Sequence, residues 1–208
     1  MVRVKICGVT TPEDAALAAE LGASAIGIVF WPESPRAVDR ERAREIVGSL
    51  PPLVSAVGVF VDEPDEAADL ARDVGLSAVQ FHGDEPSSSY RRFPVRVIKA
   101  VTVRDASAIE EAAAVPASAT VLLDAHDRVK RGGTGRVVDW TIAAVIARQR
   151  PVILSGGLHA GNIVEAISIV RPSAVDVSSS VEYAPGKKDR AKLRELFEVL
   201  RAIEHSDL

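Results

Sequence analysis

The chain has 208 residues, 47% hydrophobic and 26% charged, which suits one domain with a sizeable core and is too balanced for disorder. A formal net charge of -4 argues against a nucleic-acid partner, and an anionic ligand would need locally gathered donors because the overall field does not attract it. Cys7 is the single cysteine, so an intramolecular disulfide is excluded. No run approaches the ~18 uninterrupted apolar residues needed to span a bilayer, and MVRVKICGVT at the start reads as a strand rather than a signal peptide. A cytoplasmic protein with no membrane partner is expected.

In chain order, β-branched and apolar runs predict eight strands. They are Val2–Cys7, Ala25–Phe30, Val54–Val61, Ala78–Phe81, Val95–Ala100, Thr120–Leu123, Val152–Leu154 and Ala174–Val177. Amphipathic stretches separate them. The first opens on Thr11-Pro12-Glu13-Asp14, a cap, a proline and two acids at the positive dipole end, and stops at Gly22. The third begins after Asp62-Glu63-Pro64 and stops at Gly75. The remaining helices are predicted near residues 39–48, 84–92, 105–114, 138–148, 160–169 and 189–203. Eight βα units with right-handed crossovers predict closure into one α/β domain over residues 1–208, a (βα)8 TIM barrel. The rival, an open doubly wound sheet, lacks a GxGxxG after its first strand.

Barrel chemistry collects at the C-terminal ends of strands. Lys5 and Cys7 share a face by strand parity. A lone cysteine is a small buried hydrophobe or a base; the ammonium of Lys5 is expected to lower the thiol pKa, and it equally suits a structural ion pair. Pro32 and Pro35 frame Arg36, either a solubilising charge or a fork for a carboxylate or phosphate. Gln80 and His82 point together into the mouth, and no second histidine stands at metal-ligand spacing, so no metal is expected. Asp124 is a cap, or an acid raised by desolvation. Residues 131–136, RGGTGR, are a flexible connection or an anion-binding loop. Ser155-Gly156-Gly157 and Ser178-Ser179-Ser180 follow strands seven and eight, where barrels frequently hold phosphate.

Together these segments resemble phosphoribosylanthranilate isomerase along almost the whole chain. The matching stretches are KICGVT (5–10), GIVFWPESPRAV (27–38), VGVFVDEP (57–64), VQFHGDE (79–85), LLDA (122–125), GGTGRVVDW (132–140), SGGL with GN (155–162) and DVSSSVEYAPGKKD (176–189). The resemblance implies an aldose–ketose isomerase of tryptophan biosynthesis with Cys7 as general base, Asp124 as general acid and Arg36 on the anthranilate carboxylate. Phosphate would rest on backbone around Gly133, Gly156, Gly157, Ser178 and Ser179, and Gln80, His82 and Asp176 complete the expected substrate-binding set. No cofactor is implied, and the assembly is expected to be a monomer or homodimer. Ser180 and Ser155 depart from the family, which usually has glycine and often alanine there. The alternatives are a barrel that also serves the histidine-pathway aminoaldose, or a non-catalytic barrel that only binds phospho-ligands.

Overall fold

The computed structural model describes residues 2–62, 64–125 and 138–206. Eight parallel strands close into a barrel in sequence order: β1 Arg3–Cys7, β2 Ala25–Val29, β3 Ser55–Phe60, β4 Ala78–Phe81, β5 Arg96–Val103, β6 Ala119–Ala125, β7 Val152–Leu154 and β8 Ala174–Val177. Around them lie α1 Pro12–Leu21, α2 Arg40–Gly48, α3 Pro64–Val74, α4 Ser107–Ala114, α5 Trp140–Gln149, α6 Ile163–Val170 and α7 Arg190–Ser206. The first helix starts as its sequence implies. Thr11 accepts from the Asp14 amide, Pro12 opens the first turn, and Gly22 ends it at φ 117°.

Strand parity divides the core into two. One set, including Ile6, Ile26, Ile28, Phe81, Leu123 and Leu154, packs outward against the helices. The other, Val57, Ala78, Ile98, Leu122 and Ile153, fills the barrel interior as a separate cluster. Two residues further along the same inward faces the chemistry changes: Ala78 gives way to Gln80, Leu122 to Asp124, Ile153 to Ser155 and Ala174 to Asp176. These four strands thus supply an apolar floor and a polar mouth, while Val29 and Val59 keep the mouth apolar beside Cys7.

One predicted helix is corrected. Residues 84–92 do not form an α-helix; Ser87–Arg92 make a 3₁₀ segment after Pro86. The stretch has three serines and no apolar stripe, and the Ser89 amide and hydroxyl both turn back to the Pro86 carbonyl. Two aromatics replace the missing packing, Tyr90 stacking on Phe81 at 5.9 Å and Phe93 meeting it edge-on at 5.3 Å. Strands β5 and β6 run further than their apolar runs suggest, and Asp124 lies inside β6, in register with Thr102. An unforeseen hairpin, β9 Glu182–Ala184 with β10 Lys187–Lys188, precedes α7.

Arg150 ties α4 to the start of β6. Its guanidinium donates to the carbonyls of Ala112, Val115, Pro116 and Ala119. Arg150→Ala should therefore lower unfolding free energy by about 2–3 kcal/mol in urea titrations; an unchanged midpoint would show these bonds to be dispensable.

Candidate active site

Cys7 closes β1 facing inward, opposite Gly27 of β2. A Cβ at Gly27 would lie 2.7 Å from Cys7 Sγ and 3.1 Å from Lys5 Cε, so glycine makes the space for both side chains. Lys5 stands in register with Asp176 of β8 and donates to it at 2.9 Å, both almost fully buried. Burial alone would lower the Lys5 ammonium, but Asp176 and Cys7 outweigh it and hold the group at about 12. The expected lowering of the thiol is reversed. Burial pushes Cys7 above its ordinary value, Asp176 adds to this, and the opposing pull of Lys5 and Lys188 does not compensate.

Asp124 behaves as its position implies. Burial raises its carboxyl to about 6; the Ala125 amide and the Ser155 hydroxyl pull it down, and Asp176 pushes it up. Cys7 and Asp124 line a single cavity of about 550 Å³ together with Arg36, Gln80, His82 and Asp176. Gln80 and His82 do turn the same way, Gln80 Nε2 lying 3.0 Å from His82 Nε2. The Gln80 Oε1 is buried without a partner among the described residues.

A second cavity, about 330 Å³, shares Asp124, Ser155, Asp176 and Ser178 with the first and continues over Gly156, Gly157 and Ser179. Gly156 and Gly157 have φ of 83° and 66°, and a Cβ on Gly156 would come within 2.7 Å of the Ala125 amide nitrogen. Ser180 is not strained: it has no positive φ, and its hydroxyl donates to the Leu158 carbonyl at 2.5 Å. Gly133 and the rest of the RGGTGR loop lie outside the described residues.

Arg36 reaches the first cavity by lying over Gly8, whose φ of 71° and missing side chain leave room for the arginine stem. Its Nε and Nη2 donate to the two oxygens of Glu182 at 3.0 and 2.7 Å. Burial would raise the Glu182 carboxyl, yet Arg36 and Lys188 hold it below its ordinary value. Sequence reasoning did not single out Gly8, Gly27, Glu182 or Lys188. The only signal for the last two was their place in the long matching stretch 176–189. Among the described residues no group of three or more His, Cys, Asp or Glu side chains could hold a metal ion, and no helix is long and apolar enough to cross a membrane.

A closed barrel with a buried acid, a buried thiol and a glycine-lined pocket at one mouth defines an acid–base enzyme of the phosphate-binding (βα)8 class. Residues 4–199 match the family described as N-(5'phosphoribosyl)anthranilate (PRA) isomerase. The N-(5'-phosphoribosyl)anthranilate isomerase of Pelobacter propionicus is 46% identical over 202 residues, covering 97% of this chain and 96% of the relative. That of Trichlorobacter lovleyi is 47% identical over 197 residues, 94% and 96% of the two chains. Among solved structures, phosphoribosyl anthranilate isomerase from Thermotoga maritima superposes with a TM-score of 0.90 at 43% identity, covering 97% of this chain and all of that one. A phosphoribosyl anthranilate isomerase in complex with reduced 1-(o-carboxyphenylamino)-1-deoxyribulose 5-phosphate superposes at 0.87 with 42% identity over the same shares. The chain belongs to the N-(5'-phosphoribosyl)anthranilate isomerase family.

The carboxyl of Asp124 titrates at about 6 in the fold against 3.8 ordinarily, so the native state binds this proton more tightly than the unfolded chain. Its contribution to stability is complete below pH ~4 and lost as pH rises through ~6. The stability of Asp124→Asn relative to the parent should therefore grow by about 2–3 kcal/mol between pH 4 and pH 8 in urea denaturation. A pH-independent difference would mean the carboxyl is not raised.

Proposed function

We propose that the chain carries out the Amadori rearrangement of N-(5-phosphoribosyl)anthranilate to 1-(2-carboxyphenylamino)-1-deoxyribulose 5-phosphate in tryptophan biosynthesis, with Cys7 and Asp124 as the reacting pair. The observation that carries this is that both side chains, from β1 and β6, line the one cavity that continues into the glycine pocket. Asp124 protonates the furanose ring oxygen as the C1–O bond breaks, leaving a Schiff base. The Cys7 thiolate then takes the C2 proton, and the resulting enolamine tautomerises to the ketone. Phosphate lies on the backbone at Gly156 and Gly157 with Ser178 and Ser179, and Gly133 belongs to the same subsite by family likeness. Gln80, His82 and Asp176 line the sugar, and Arg36 takes the anthranilate carboxylate. The cycle uses no metal or cofactor. A cytoplasmic monomer or homodimer suits this role, and sedimentation velocity separates the two assemblies.

The reacting pair needs one proton between them, held by Asp124 and not by Cys7. With the carboxyl at about 6 and burial pushing the thiol above its ordinary value, that arrangement is the minor form of the singly protonated pair in unliganded molecules. The singly protonated pair is nevertheless most populated between the two values. The kcat/KM profile should accordingly rise with pH through about 6, level off, and fall only in the alkaline range. A profile still rising linearly at pH 8 would contradict it.

In a continuous fluorescence assay, Cys7→Ser and Asp124→Asn should each lower kcat by about 10²–10⁴-fold with little change in KM. Near-parental turnover would remove that residue from its role. Arg36→Ala should act chiefly on KM, by about 2–4 kcal/mol of lost charge-assisted contact; an unaltered KM would refute the carboxylate assignment.

A further inference from the structure

Two buried charges in the final matching stretch take no part in these steps. The Lys188 ammonium donates to the Cys7 carbonyl at 2.6 Å, the Ser178 carbonyl at 3.2 Å and Glu182 Oε1 at 2.8 Å. Its side chain has no exposed surface. The three acceptors are the backbone of the base, the start of the phosphate loop after β8, and the carboxylate that grips Arg36. One cation therefore joins three subsites drawn from opposite ends of the chain. The hairpin that carries it is anchored in turn: Thr10 Oγ1 donates to the Gly186 carbonyl at 2.5 Å, Lys192 Nζ to the Glu182 carbonyl at 2.7 Å, and the Lys188 amide to Asp14 at 3.2 Å.

Glu182 meets Arg36 along one edge only. A guanidinium carries five N–H groups in a rigid plane, and this side-on pair uses the Nε hydrogen and one on Nη2. The end-on edge, formed by Nη1 and the second Nη2 hydrogen, meets no acceptor among the described residues, while Arg36 lines the cavity that holds Cys7 and Asp124. A carboxylate so close to an anionic substrate would by itself repel it. Lys188 cancels that charge, so the trio Arg36, Glu182 and Lys188 keeps one net positive charge, as Arg36 alone would, but with a fixed direction.

We infer that Glu182 and Lys188 are positioning residues that aim the end-on edge of Arg36 at the aryl carboxylate, and thereby select a 2-carboxyaryl amine over an unsubstituted aryl amine. The inference rests on Arg36 being the carboxylate ligand. The test uses two probes, reduced 1-(2-carboxyphenylamino)-1-deoxyribulose 5-phosphate and the same compound without the carboxylate, titrated calorimetrically against the parent and Glu182→Gln. Glu182→Gln adds positive charge to the trio, so simple attraction would tighten binding of the carboxylate probe. Positioning predicts the opposite: about 10-fold weaker binding of the carboxylate probe, less than about 2-fold change for the other, and a KM increase of similar size with kcat nearly kept. Binding of the carboxylate-free probe also reports that the variant is folded. Lys188→Met, which also releases the Cys7 and Ser178 carbonyls, should weaken both probes, the carboxylate probe more.

Equal weakening of both probes would reduce Glu182 to a scaffold part and overturn the inference, as would unchanged or tighter binding of the carboxylate probe. Arg36→Ala tells the two levels apart. If it discriminates between the probes and Glu182→Gln does not, positioning alone fails; if Arg36→Ala does not discriminate either, the carboxylate assignment falls and takes this inference with it.

Discussion

Lys5 and Asp176 face each other across the β1–β8 register at 2.9 Å, almost without solvent, and the thiol of Cys7 and the carboxyl of Asp124 both lie in the field of that pair. Either charge alone in such a place would cost several kcal/mol, because neither water nor a counter-ion could reach it. Paired, they satisfy each other, and that changes what Lys5 can do for its neighbours. Lys5 still pulls the Cys7 thiol down, but Asp176 works against that pull, and burial of the thiol dominates. Burial likewise holds the Asp124 carboxyl high, and Asp176 adds to this more than Lys5 takes away. Both groups are thus inclined to keep their protons, and in the proposed reaction only one of them can do so.

That arrangement works against the fold's own stability. A carboxyl that titrates near 6 is ionised at neutral pH at a cost the unfolded chain does not bear. Gly27 and Gly156 add to it, since the first gives up a side chain to admit the thiol and the second to let its backbone pass Ala125 and Val138. The large outward core and the closed strand ladder offset such local costs. This is the general condition under which a strained or desolvated site persists.

How much of this the sequence revealed follows from the range of each interaction. Period-two alternation is local, so the eight strands and the shared faces of Lys5 with Cys7 and Gln80 with His82 were legible from neighbouring residues. Asp124 was legible as a candidate because an acid ending an apolar run stands out, and its raised carboxyl followed from burial alone. The sign of the Cys7 shift was not, because it turns on burial of the thiol, to which Asp176 adds, and both arise only once the barrel closes and brings Asp176 across from a point 169 positions along the chain. The Glu182–Arg36 grip spans 146 positions and was hidden for the same reason. Residues 84–92 failed differently: a helical stretch was assumed from the βα rhythm, where serines after a proline favour turns back to the backbone.

The phosphate end completes the electrostatic argument. Among the described residues its pocket is lined by Ser155, Gly156, Gly157, Leu158, Val177, Ser178, Ser179 and Ser180, with no lysine or arginine, so this part of the lining offers dipoles to an anion. Asp124 and Asp176 line the same pocket. In the proposed complex, a phosphate seated on those dipoles brings negative charge beside the Asp124 carboxyl, and like charge raises a carboxyl's pKa. The end of the substrate that undergoes no chemistry thereby favours the protonated form of the acid that the reacting end requires.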